Sequence, residues 1–157
     1  MNKHIVKSIY SLMLACTLTT TTVSSTTSRS VVSQNADLSK YRYASVINND
    51  TYHIPAELME YEIMLFDAVE ASRLQLVSDM RLYELTPEQR SKLLIVKYGV
   101  NSQPEETVVT VNFIDFLSGR PIVSCRGAYS TLGISSSADI KGAIKRAAEQ
   151  ISQTFPK

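Results

Sequence analysis

The chain has 157 residues, of which 44% are hydrophobic and 20% charged, so its length allows one folded domain and little more. Sixteen basic against fifteen acidic residues leave a formal net charge of +1, which does not predict the basic surface that nucleic-acid binding requires. Two cysteines and two histidines cannot form a four-ligand zinc site without carboxylate ligands. We therefore predict no nucleic-acid partner, no metal and no cofactor.

The first sixteen residues have the pattern of an export signal. Lys3 and Lys7 give a basic start, and a short apolar run follows over residues 9–15. That run is too short to cross a bilayer, which takes about 20 apolar residues. Its end, Met13-Leu14-Ala15-Cys16, resembles the bacterial lipobox, in which the cysteine is lipidated and becomes the new N-terminus. We therefore predict a signal over 1–16 and a lipid anchor at Cys16.

Residues 17–39 are rich in serine and threonine and predict a disordered tether, because such a stretch buries little apolar area. Thr17 stands where some inner-membrane lipoproteins have Asp, which favours the periplasmic face of the outer membrane. The alternative is a plain signal peptide that is cut near Val23-Ser24-Ser25. Cys16 would then be discarded, and the protein would be soluble in the periplasm or secreted.

Residues 40–157 predict a single α/β domain. Strands are expected over 41–47, 74–77, 93–100, 107–116 and 122–129, a helix after Pro55, a helical turn over 87–91 and a final helix after 136. The first helix carries two apolar lines, one through Leu58, Leu65 and Val69 and one through Met59, Ile63 and Phe66. Together they form a broad apolar stripe that is expected to lie against the sheet.

Capping boxes are predicted at Thr86-Pro87-Glu88-Gln89 and at Ser136-Ser137-Ala138-Asp139, and Gly119 is predicted to supply a left-handed residue in a hairpin loop. The order of elements indicates a two-layer sandwich, in which two main helices cover one face of a mixed sheet of about five strands.

No catalytic set emerges from the reactive residues. Cys125 shares its strand phase with Val123 and Tyr129, which favours a buried structural thiol over a nucleophile. His53 stands alone in the loop before Pro55. A secreted enzyme or ligand-binding protein that uses Cys125 or His53 remains the alternative.

Other polar patterns have plain structural interpretations. The acidic residues of the first helix (Glu60, Glu62, Asp67, Glu70) and the basic residues of the last (Lys141, Lys145, Arg146) are expected to be solvated faces. Gly119, Gly127 and Gly133 are spaced as in turns rather than as in a phosphate loop. The seven tyrosines of the domain are expected to cover the outer face of the sheet, although exposed tyrosines would also suit a protein-binding surface.

Several segments together resemble those of small bacterial envelope lipoproteins of unknown function. They are Tyr98-Gly99, the strand over 109–115, Ser118-Gly119-Arg120-Pro121-Ile122-Val123, Gly127 and Thr154-Phe155-Pro156. The α/β domain is similar, more distantly, to those of the penicillin-binding-protein activators and the curli-secretion lipoprotein. The resemblance implies an envelope protein that works by contact and brings no catalytic residues.

The sequence thus predicts an exported, lipid-anchored, non-enzymatic protein that binds another envelope component. A soluble secreted ligand-binding protein and a subunit of a secretion or surface assembly are the alternatives. The oligomeric state is left open by the sequence.

Overall fold

A computed structural model describes residues 27–47, 56–131 and 135–157 of the chain. Within these ranges six strands form one sheet in the order β1-β6-β5-β4-β2-β3. The strands are β1 (Arg29–Val32), β2 (Tyr43–Val46), β3 (Gln75–Leu76), β4 (Leu93–Ser102), β5 (Thr107–Asp115) and β6 (Pro121–Tyr129). β2 is parallel to both β3 and β4, whereas the pairs β4–β5, β5–β6 and β6–β1 are antiparallel. The sheet is therefore mixed.

Two long helices cover one face of this sheet. They are α1 (Ala56–Glu70) and α3 (Ser136–Thr154); a short α2 (Pro87–Ser91) and two 3-10 turns (Leu38–Lys40, Asp79–Glu84) lie in the connections. α3 packs on β5 and β6, and α1 packs on α3 and β3. The predicted α/β sandwich is confirmed, with six strands in place of about five.

The central hairpin has the alternation that its sequence predicts. Val109, Val111 and Phe113 of β5 are fully buried under the helices, while Val108 and Thr110 on the outer face are only half-buried. On β6, Val123 and Cys125 continue the buried row. Successive side chains of a strand point to opposite faces of the sheet, so the local sequence alone assigns each of these residues to its face.

Gly127 allows α3 to approach β6 closely. A Cβ atom at this position would run into the Ala143 carbonyl oxygen and the Ala147 amide nitrogen, both in the backbone of α3. Gly142 provides the matching gap on the helix, because the Tyr129 ring lies against it. The two glycines set the distance between helix and sheet.

The N-cap of α2 is the predicted residue, whereas the N-cap of α3 is one residue earlier than predicted. Thr86 and Gln89 form the predicted capping box of α2, with each side chain bonded to the other's backbone amide. At α3 the N-cap is Ser135, whose hydroxyl accepts from the Ala138 amide, and not Ser136 as predicted. Asp139 instead accepts a hydrogen bond from the Thr131 amide and so ties the preceding loop to the helix.

The disordered tether predicted over 17–39 does not extend to its end. Residues 29–32 form β1, which pairs with β6 from Arg29 opposite Arg126 to Val32 opposite Val123. The strand was missed because its four residues have no buried side chain and therefore no clear alternation. The domain thus begins before residue 40, while residues 1–26, with Cys16, lie outside the described residues.

The two apolar lines of α1 have different environments. Leu65 and Val69 of the first line are buried, together with Tyr61 and Ala68. Met59 and Ile63 of the second line are 54% and 59% exposed. The expectation that the whole stripe is covered is therefore wrong for Met59 and Ile63, whereas Phe66 of the second line packs partly buried against the core. Among the described helices, none has a stretch long and apolar enough to span a bilayer.

Candidate functional site

The residues singled out for chemistry do not converge on one place. Cys125 is fully buried, with its Sγ 3.9 Å from Thr154 Oγ1, as predicted from its strand phase. His53 lies outside the described residues. Asp67 and Glu70 are exposed on α1, as expected of a solvated face. Within the described ranges, no group of three or more histidine, cysteine or acidic residues is placed to hold a metal ion.

The basic cluster and the glycines are also separate features. Lys145 and Arg146 are exposed on α3, whereas Lys141 is half-buried and pairs with Glu60 of α1 at 2.7 Å. Gly119 has φ of +68° and ends the β5–β6 hairpin loop, as predicted. Gly133 lies outside the described residues.

The tyrosines are placed differently from the prediction. Tyr41 and Tyr61 are buried in the core, and Tyr98 and Tyr129 pack against it from the helix side. The expectation that tyrosines cover the outer face is wrong for these four. Tyr83 is 75% exposed, in the 3-10 turn over 79–84.

Burial makes Cys125 a poor nucleophile. It raises the pKa of the thiol to about 11, against a smaller lowering by the contact with Thr154. The thiolate is the reactive form, so this shift lowers its population at neutral pH about a hundredfold.

We expect native Cys125 to react with a maleimide about a hundredfold or more slowly than the same thiol in urea. The measurement uses a Cys16→Ala variant, so that Cys125 is the single thiol of the chain. Labelling of the native protein at the rate of the unfolded chain would contradict the structural interpretation and favour the enzyme alternative.

The Asp115 carboxylate, at the end of β5, accepts four hydrogen bonds from other described residues. Its Oδ1 accepts from the amide and the hydroxyl of Ser118, each at 2.8 Å. Its Oδ2 accepts from the Tyr41 hydroxyl at 2.9 Å and from Lys40 Nζ at 3.3 Å. Asp115 therefore joins the hairpin loop to the segment between β1 and β2.

Burial alone would raise the pKa of Asp115, but the hydrogen bonds from Ser118, Tyr41 and Lys40 outweigh it and lower the pKa to about 2. Burial, and then the bond to Asp115, raise the pKa of the Tyr41 phenol to about 12. A cavity of about 260 Å³ opens beside the pair, lined also by Ser33, Asn35, Arg120 and the apolar Ile122. Because Asp115 already accepts four hydrogen bonds, its main role is to hold the fold together.

The lowered pKa of Asp115 makes part of the stability depend on pH. A carboxyl whose pKa is lower in the folded state stabilises the fold above its unfolded pKa, and that stability is lost as pH falls. We expect Asp115→Asn to cost about 1–2 kcal/mol of unfolding free energy at pH 7, a difference that shrinks between about pH 4 and pH 2.

Urea unfolding at several pH values measures this difference. The matched control is Asp67→Asn on the exposed face of α1, for which little change is expected at any pH. If the difference between wild type and Asp115→Asn were the same at pH 2 as at pH 7, the carboxylate would not carry the effect.

A second feature is a groove between α1 and the 3-10 turn Asp79–Glu84, which we call the apolar groove. It has a volume of about 350 Å³ and is lined by Val46, Met59, Glu62, Ile63, Phe66 and Asp79. Met80 and Tyr83, 81% and 75% exposed, lie on the same 3-10 turn as Asp79. Four large apolar side chains are thus presented to solvent on α1 and this turn.

The sequence missed both features for different reasons. Asp115 followed by Ser118 and Gly119 is a local turn pattern that could have indicated a capping carboxylate. Its partner Tyr41 is 74 residues away along the chain, which no local pattern reports. For the apolar groove, the spacing of Met59 and Ile63 gave a second line on α1 but not which line would be covered.

Comparison with known proteins gives little further guidance. No family pattern matches the sequence, and no curated protein matches it. Solved structures with a similar arrangement include the PelC dodecamer from Paraburkholderia phytofirmans and a point variant of it. The dodecamer matches at 15% identity and a TM-score of 0.47, covering 83% of this chain and 98% of that one. The variant matches at 14% identity and a TM-score of 0.49, covering 82% and 98%. Both TM-scores are below 0.5, so the fold rests on this chain's own strands and helices, and function has to be inferred from its own surface.

Proposed function

We propose that the chain is an exported, lipid-anchored protein of the bacterial envelope that acts without catalysis, by binding another envelope component. The sequence supports export and anchoring through its basic start, its short apolar run and Cys16. The anchored protein would face the periplasm from the outer membrane.

The observation that carries the binding role is the exposure of the apolar groove. Single exposed hydrophobic residues are ordinary, but Met59 and Ile63 line one groove and Met80 directly follows its lining residue Asp79, which indicates an interaction site. Met59 and Met80 suit such a site, since the flexible thioether side chain adapts to a partner's shape. Covering these side chains would remove apolar area from water and so favour association.

The charges of the apolar groove indicate the chemistry of its partner. Glu62 and Asp79 both line the groove, and no ion pair joins either of them to another described residue. A complementary segment carries apolar side chains flanked by lysine or arginine. The proposed partner is therefore an envelope protein that presents a basic, amphipathic segment.

Crosslinking in cells tests the partner. A photo-reactive amino acid at position 80 of the full chain should capture one envelope protein through a segment that is both apolar and basic. Ile63→Lys should abolish the crosslink, because it removes an apolar side chain from the groove and adds a positive charge that repels a basic segment.

Leu117→Lys, at a residue 63% exposed in the β5–β6 loop, is the matched control and should leave the crosslink unchanged. Equal crosslinking in all three proteins, or capture through an acidic segment, would contradict the proposal.

Intact mass tests the anchor separately. The mature protein extracted from membranes should carry the mass of its acyl chains, and a Cys16→Ala variant should lose them. A soluble chain that is cut after Cys16 would contradict the anchor and favour a secreted ligand-binding protein.

The free edge of the sheet favours a second candidate, a subunit of a secretion or surface assembly. β1 pairs only with β6 among the described strands, and Val31 is 56% exposed on it. An edge strand of this kind can pair with a second copy. The mass of the unlipidated Cys16→Ala protein in solution tests this candidate: Val31→Lys should convert an oligomer to a monomer, and a monomeric parent protein would exclude it.

A further inference from the structure

We infer that the domain turns a basic edge toward the membrane that holds it, and that this edge contacts anionic phospholipid headgroups. The inference rests on the proposed lipid anchor at Cys16 and adds an orientation to it.

The position where the described chain begins is the first observation. The Thr27 carbonyl accepts from Arg126 at 3.1 Å, and the Ser28 hydroxyl accepts from the Ala128 amide at 3.1 Å. The chain therefore enters the domain beside the last residues of β6, next to Tyr129. The opposite end of β6, at Pro121, is about 26 Å away at the usual rise per strand residue.

The second observation is the basic surface at that same end. A cavity of about 360 Å³ is lined by Tyr129 of β6 and by residues of α3, which are Ala138, Lys141, Gly142, Lys145, Arg146 and Glu149. Lys141 forms an ion pair with Glu60, whereas Lys145 and Arg146 form none with another described residue. Arg29 is exposed at the start of β1, but it lies directly opposite Arg126 and so projects from the sheet face away from α3. We call Lys145 and Arg146 the basic edge.

The third observation is the length of chain between anchor and domain. Only ten residues, 17–26, separate Cys16 from Thr27. Even fully extended they span no more than about 36 Å, so the end of the domain that carries the basic edge is held near the bilayer.

Anionic headgroups attract lysine and arginine within about 8 Å of the surface at physiological salt. Glu149 lies in the same cavity, and Glu106 pairs with Arg126 at 2.9 Å, so the attraction is modest. It is enough to orient a domain that the anchor already keeps close, because the anchor provides the affinity.

Fluorescence quenching by lipid tests the orientation. The lipidated mature protein is reconstituted into vesicles of 30% phosphatidylglycerol in phosphatidylcholine, or of phosphatidylcholine alone. A bimane label is placed at Ala138→Cys beside the basic edge, or at Leu117→Cys in the far hairpin loop. A headgroup-labelled quencher should quench the label at 138 several-fold more than the label at 117, and only in the anionic vesicles.

Charge reversal provides the matched comparison. Lys145→Glu with Arg146→Glu should remove the difference between the two labels. Lys97→Glu with Arg120→Glu, which changes the total charge equally on two exposed residues outside the basic edge, should leave it intact. Salt at 1 M should also remove the difference between the two labels, because it screens the attraction to the headgroups.

The outcomes separate the orientation from the anchor. A lipidated protein with equal quenching at both positions, or with quenching at 138 that does not depend on phosphatidylglycerol, overturns the orientation and leaves the anchor standing. A mature protein whose mass shows no lipid overturns the anchor and the orientation with it.

Discussion

Gly127→Ala is expected to destabilise the domain by about 3 kcal/mol, at the upper end of the cost of overpacking a core. The added methyl group would meet the carbonyl oxygen of Ala143 and the amide nitrogen of Ala147. Both atoms belong to the backbone of α3, so no side-chain rotation relieves the contact and the helix has to move away from the sheet. Ile144 and Ile151, fully buried on the same helix, would move with it.

Gly99→Ala is the matched control. Gly99 is also a strand glycine, but a Cβ built there meets no atom within 4 Å. We expect a change within about 1 kcal/mol of either sign. The midpoint of thermal unfolding should therefore fall by about 10–20 °C for Gly127→Ala and by much less for Gly99→Ala. Similar shifts for the two variants would show that helix and sheet are not closely packed at Gly127.

Phe155→Ala should cost about 4 kcal/mol of unfolding free energy. Phe155 is fully buried just after α3, and its ring centroid is 4.9 Å from that of Phe113 on β5. The guanidinium of Arg73 lies 5.6 Å from the same ring, and the Arg73 amide donates to the Phe155 carbonyl at 3.1 Å. Truncation would leave a cavity in the centre of the core and remove the surface on which Arg73 rests.

Urea unfolding measures this loss of stability, and two further substitutions serve as references in the same titration. Phe155→Leu keeps most of the buried volume and should cost less than half as much. Leu117→Ala removes a side chain that is 63% exposed and should change the stability by no more than about 0.5 kcal/mol. A loss for Phe155→Ala as small as that for Leu117→Ala would mean that the end of the chain does not contribute to the core.

The elements predicted well from the sequence are those whose signal is local. β5 alternates strictly over its nine residues and β6 does so as far as Gly127, and their hairpin loop needs a left-handed residue that Gly119 supplies. The apolar spacing of α3 specified its buried face from Ile144 to Phe155. β1 had no such signal, because its pairing depends on β6 and its own side chains are exposed.

Less of the candidate surfaces could be predicted from the sequence, because most of them depend on contacts between distant segments of the chain. The burial of Cys125 follows from strand phase alone, and the structure agrees. The Asp115–Tyr41 bond joins distant segments of the chain, and the basic edge lies beside the first described residues only because β1 pairs with β6, so both depend on the assembled fold. The exposure of Met59 and Ile63 depends on which side of α1 meets α3, which the helical period does not determine.

The pairing of β1 with β6 also has a consequence for the order of folding. Ser28 and Ala128, bonded to each other, are 100 residues apart, so the first strand to be synthesised or exported waits for nearly the whole chain before it can pair. Closing a loop of that length is entropically costly, and contacts this distant in sequence form late. If Cys16 is modified as the chain emerges, the anchor is in place before the sheet acquires its outer strand. The last step of folding would then take place at the membrane surface, on a chain already attached to it.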